Sequence, residues 1–145
     1  MSYPLLSVPY RWRAVVLSAV RTWRLSTDSG ALTQPALHNA LDRHGCGILA
    51  PNFDSLMRLD ESFHGRRFRT AAAGALDISI DEGRLLASVA GLTNSPAVAT
   101  RGGQTAGLAA ALDVALHSTR LMMGMALQRG EAKMLLEQRW LMRSA

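Results

Sequence analysis

The sequence predicts an all-α fold, a compact bundle of about five to six helices forming one domain over residues 1–145, with a central long helix near 104–129. Three observations carry that expectation. Apolar residues recur at helical spacing in several segments. Apolar–polar alternation is nearly absent, so that at most Ile78-Ser79-Ile80 could make a short strand. Clusters of Gly, Pro, Asn and Ser punctuate the chain between the periodic runs.

The first helix is expected to follow Ser7 as N-cap, with Pro9 near its start, where a missing N–H donor costs nothing. Trp12, Val15, Val16, Ala19, Val20 and Trp23 then share one face and read as core. Arg11, Arg13, Arg21 and Arg24 fall off that face, and no acidic residue precedes Asp28. An arginine-rich, acid-poor amphipathic start is also compatible with a transit peptide or a membrane-surface helix, but two tryptophans in register are better explained as core.

After the turn residues Thr27-Asp-Ser-Gly30, a second helix is expected from a Thr33 cap through Leu37, Ala40 and Leu41, ending at Gly45. A third, after Pro51 or Asn52, uses Phe53, Leu56, Met57, Leu59 and Phe63 and stops at Gly65. This pair differs from a DNA-reading helix-turn-helix in its long joining segment and in the acidic Asp54, Asp60 and Glu61 of its second helix. The stretch Arg66 to Asp77 mixes extended and helical preferences and reads as irregular. Ser79-Ile-Asp-Glu82 is a capping box, in which the Ser and Glu side chains satisfy each other's free backbone donors, and Leu85, Leu86, Val89 and Ala90 continue the helix it starts.

The long helix is the most informative run. Leu108, Ala111, Leu112, Ala115, Leu116, Thr119, Met122, Met123 and Ala126 form one broad face, and Val114, Leu121 and Met125 form a second apolar stripe outside it. Only Asp113, His117, Arg120 and Gln128 remain as a polar strip, so the helix is either central or an interface. The second stripe is expected to meet another chain or the C-terminal segment around Leu136 and Trp140, a separate helix after a bend or stop at Gly130.

Composition bounds the function. A chain of 145 residues is long enough to bury roughly 68–70% of its unfolded surface in one core. Cys46 is the only cysteine, which excludes an intramolecular disulfide and a cysteine-rich zinc module. No segment reads as a secretory signal or a membrane span, and a cytoplasmic location is expected. The net charge is +5, with Lys133 the lone lysine. Arginine binds phosphate through a two-pronged donor fork, so a phosphate-binding face of Arg11, Arg13, Arg21, Arg24, Arg66, Arg67 and Arg69 is the alternative to a protein partner.

Sites for chemistry are sparse. His38, His44, Cys46 and His64 match no closed zinc spacing, and no hydrolase signature surrounds Cys46. Asp113, His117 and Arg120, at i, i+4 and i+7, are the best-spaced polar cluster, able to transfer a proton or clamp an anion, but more simply read as the one solvated stripe of the helix. No phosphate-binding loop, dinucleotide fingerprint or nucleophile elbow occurs. Neither an enzyme nor a cofactor or metal is expected.

Residues 50–92 resemble a small uncharacterised family of bacterial helical proteins. Its pattern runs from a leucine-rich helix through an Arg-Arg dipeptide to an Ala-Pro-Cys-Cys stretch and a Thr-x-Asp-Glu helix start. The matching residues are Leu56-Met-Arg-Leu59, Arg66-Arg67, Ala71, Ser79-Ile-Asp81-Glu82 and Leu85. Ala73 and Gly74 stand where that family places its cysteines, so no redox or metal role carries over. The resemblance implies a compact helical protein without an assigned activity. Taken together, the residues predict a protein-interaction or regulatory module that self-associates or binds another protein, without a membrane partner.

Overall fold

A computed structural model describes residues 7–93 and 106–144. Among these residues every regular element is a helix: α1 (Tyr10–Ser29), α2 (Thr33–Asp42), a 3-10 turn (Gly47–Leu49), α3 (Ala50–His64), α4 (Ile80–Val89) and α5 (Ala106–Arg143). Ile78-Ser79-Ile80 makes no strand, because Ser79 is captured as the N-cap of α4.

α1 buries the expected face, with Val15, Val16, Ala19 and Val20 fully shielded and Trp12 partly so. Its N-cap is Pro9 rather than Ser7, and Pro9 makes no side-chain cap. The helix also runs three residues further than the turn-like Thr27-Asp-Ser suggested, because Gly30 at φ 71° supplies the left-handed residue that accepts the stop. Gly65 does the same for α3 at φ 63°. Leu37 and Leu41 of α2 and Phe53, Leu56 and Met57 of α3 complete the core with Leu85, Leu86 and Val89 of α4.

α3 is the element around which the others assemble, touching α1, α2, the 3-10 turn and α5. The long helix therefore flanks the bundle instead of forming its centre, packing on α3 and more lightly on α4 and the 3-10 turn. Its start at 104–105 falls outside the described residues. Its end also differs from the expectation: α5 is one helix of 38 residues and passes through Gly130 without a break. Gly130 costs about 1 kcal/mol of helix propensity relative to alanine, but the strong helix formers on both sides outweigh a single glycine. The expected separate C-terminal helix is the distal part of α5.

Candidate interaction surface

Only one face of α5 is buried. Ala109, Leu112, Leu116, Thr119, Met123 and Leu127 lie against the body, whereas Ala111 is exposed and Leu108 only half-buried, so the broad apolar face is narrower than the sequence suggested. The last of these contacts is at Leu127. Beyond it, every residue from Glu131 to Ser144 is exposed, and this projecting arm is held at its root by an ion pair between Arg11 Nη1 and Glu131 Oε1 at 3.1 Å.

The second stripe lies on the outer face of the same helix, with Val114 69%, Leu121 55% and Met125 55% exposed. Leu136 and Trp140 cannot fold back to cover it, because they sit further along the same continuous helix. They are exposed themselves, together with Met134, Leu135, Leu141 and Met142. An apolar cleft of about 440 Å³ opens where the arm leaves the body, lined by Ile48 of the 3-10 turn and by Met122, Met125 and Ala126 of α5.

The polar cluster does not assemble as one unit. Arg120 turns toward α4, donating from Nε to the Val89 carbonyl at 2.9 Å and from Nη2 to the Ser88 carbonyl at 3.1 Å. It thereby satisfies acceptors at a helix C-terminus, where a cation is also favoured by the helix dipole. Asp113 is half-buried and His117 exposed. A Cβ on Gly91 would come within 3.1 Å of the Arg120 guanidinium carbon, so the turn after α4 is shaped around this side chain.

The fold brings the two arginine segments together, but chiefly onto carboxylates. Arg21 donates to Glu82 at 2.8 and 3.2 Å and to the carbonyls of Ala75 and Asp77 at 3.0 Å. Arg24 pairs with Glu61 at 3.0 Å, Arg66 donates to Asp81 at 2.8 Å, and Arg67 pairs with Asp28. Arg69 joins the same region through its backbone, its N–H donating to Asp81 and its carbonyl accepting from Ser79. Arg11 and Arg13 lie toward the other end of α1. These pairs link residues distant in sequence, so reading along the chain could not find them. A further pair missed by the sequence reading joins α3 to α4: Arg84 meets buried Asp60 with two hydrogen bonds of 2.9 Å.

The α4 start concentrates this charge. Hydrogen bonds from Arg66 hold Asp81 down to about 2, against the opposing effect of burial. Glu82 is likewise lowered: burial pushes it up, but Arg21 and the N–H groups of Ser79 and Ala71 outweigh that. A carboxylate whose folded-state pKa is depressed stabilises the fold above its unfolded value, near 4, and loses that contribution as pH falls through the folded value. The melting temperature should therefore stay nearly level from pH 7 to about 5 and drop between about pH 4 and 2. Asp81→Asn should flatten that acid limb by about 1–2 kcal/mol, a range reduced because Arg66 is half exposed. Chemical denaturation across pH checks this, and an unchanged acid limb would refute it.

The cysteine and histidines are dispersed. Cys46 is fully buried, which raises its pKa and keeps the thiol protonated, the opposite of what a nucleophile needs. His38 lies 3.3 Å from the Gly47 carbonyl, and His64 lies 3.5 Å from Asp60 with its pKa lowered by burial and by nearby Arg84. Among the described residues no group of three His, Cys, Asp or Glu is placed to hold a metal ion. Among them also, no helix is long and apolar enough to cross a membrane. The fold is thus an all-α bundle with one projecting helical arm. Comparison of the chain with protein-family models, curated proteins and solved structures finds no match.

Proposed function

We propose that this protein is an interaction module whose docking surface is the outer face and C-terminal arm of α5, and that its partner is a protein. The supporting observation is the exposure of nine large apolar side chains on this one helix, from Val114 to Met142. Each costs roughly 1.5–3 kcal/mol when fully left in water instead of buried, and the arm continues well beyond the last contact with the body. The nucleic-acid alternative has less support, because Arg21, Arg24, Arg66 and Arg67 already face carboxylates.

Two substitutions two residues apart test the reading. Leu121→Glu should give a folded protein whose thermal melt lies within about 1 kcal/mol of the parent, because the side chain already faces solvent. Met123→Glu, which buries a charge at a fully shielded position, should unfold the chain. Circular dichroism melts distinguish them. If Leu121→Glu unfolds the protein as Met123→Glu does, the outer stripe is core and the proposal fails.

A further inference from the structure

We infer that the occupant of this surface is a second copy of this chain, paired antiparallel along α5 so that Trp140 of each copy seats in the cleft at the root of the other's arm. The inference rests on the docking-surface reading above and names its partner. The cleft beside Ile48 has Arg129 and Lys133 at its outer edge. Immediately beyond it, and sharing Lys133, a second apolar hollow is formed by Leu136, Trp140 and Leu141, with Glu137 on its rim. At about 100° per residue, Met122, Arg129, Lys133, Leu136 and Trp140 fall within about 60° of one another, so both hollows lie on one face about 27 Å long.

Charge sets the direction of pairing. The root end of that face is positive through Arg129 and Lys133, and Glu137 lies one to two turns further on, with Arg143 beyond it at the tip. An antiparallel two-fold arrangement brings Glu137 of each copy to Arg129 and Lys133 of the other. A parallel arrangement in register sets each charge on its own kind, which opposes association. Antiparallel packing also opposes the two helix dipoles favourably.

Met125, Leu136 and Trp140 lie on or beside that face, each 55–68% exposed, and the exposed Ile48 of the body joins them at its root. A lipid surface fits less well. Met134, Leu135 and Leu136 are consecutive and point in three directions, so the arm lacks the distinct polar face of an interfacial helix.

Sedimentation equilibrium of the full chain tests the inference, using Trp140→Glu, Glu137→Lys and the triple exchange Arg129→Glu, Lys133→Glu, Glu137→Lys. The parent should be dimeric. Trp140→Glu should be monomeric with parental helix content, Glu137→Lys should weaken dimerisation by about tenfold or more, and the triple exchange should restore it. A dimer indifferent to all three variants would overturn the arrangement. If the parent is monomeric, quenching of Trp140 by acrylamide, read against Trp140→Phe, separates the remaining cases. A freely quenched Trp140 sinks the second-copy inference and leaves the surface to a different protein. A shielded Trp140 in the monomer means that the chain covers its own arm, and both readings fall. A monomer that co-sediments with anionic vesicles through the arm also overturns both.

Discussion

Replacing Glu82 by alanine is expected to cost about 3–5 kcal/mol of stability, because it removes one charge of a buried, multiply hydrogen-bonded pair. The Glu82 side chain is fully buried and accepts from Arg21 Nε and Nη2, from the Ser79 N–H at 2.9 Å and from the Ala71 N–H at 3.3 Å. It closes the capping box of α4 while fixing the 66–79 segment against α1. Alanine would leave the Arg21 side chain, itself only 11% exposed, short of its counter-charge. The melting temperature should fall by on the order of 10 °C or more. Glu82→Gln keeps the length and the capacity to accept from the backbone, so it should lose roughly half as much, with Arg21 left without an anion. Differential scanning calorimetry of the two variants checks this, and a loss below about 1 kcal/mol for the alanine would show that Glu82 is dispensable.

Trp23→Ala should be comparably damaging, at about 3–5 kcal/mol. The ring is 2% exposed in the contact between α1 and α3, with the Arg24 guanidinium 4.7 Å from the ring centre. Its Nε1 donates to Asp54 at 2.9 Å, and the same carboxylate accepts from Gln34 of α2 and Arg58 of α3. Trp23→Phe keeps much of the packing and removes that hydrogen bond, so about 1–2 kcal/mol is expected. Guanidinium denaturation gives both values. A phenylalanine variant as unstable as the alanine one would place the whole effect in the hydrogen bond.

What could be read from the sequence was local. The α4 start is legible because Ser79 and Glu82 are three residues apart and satisfy each other without help from the rest of the chain. The stop at Gly65 is legible because a left-handed residue is nearly a glycine monopoly. The core stripe of α1 follows from its spacing. One reading failed and another lost support, because non-local contacts decided both. Gly130 looked like a bend, yet one poor helix former cannot break a run whose neighbours all favour continuing. The arginines resembled a phosphate face because their carboxylate partners lie up to 120 residues away in sequence. The outer stripe of α5 was visible as a pattern of apolar residues, and its exposure follows from α5 flanking the bundle, which spacing alone does not fix.

The unbroken passage of α5 through Gly130 has a consequence for how the arm acquires its shape. A free segment of about 14 residues would be marginally helical in water, since its first turn fixes several dihedral angles for a single hydrogen bond. In α5 the turns packed on α3 serve as the nucleus, and each further residue only propagates. Helical order in the arm therefore has a direction. By the same reasoning it is best established near the Arg11–Glu131 tether and most easily frayed toward Arg143.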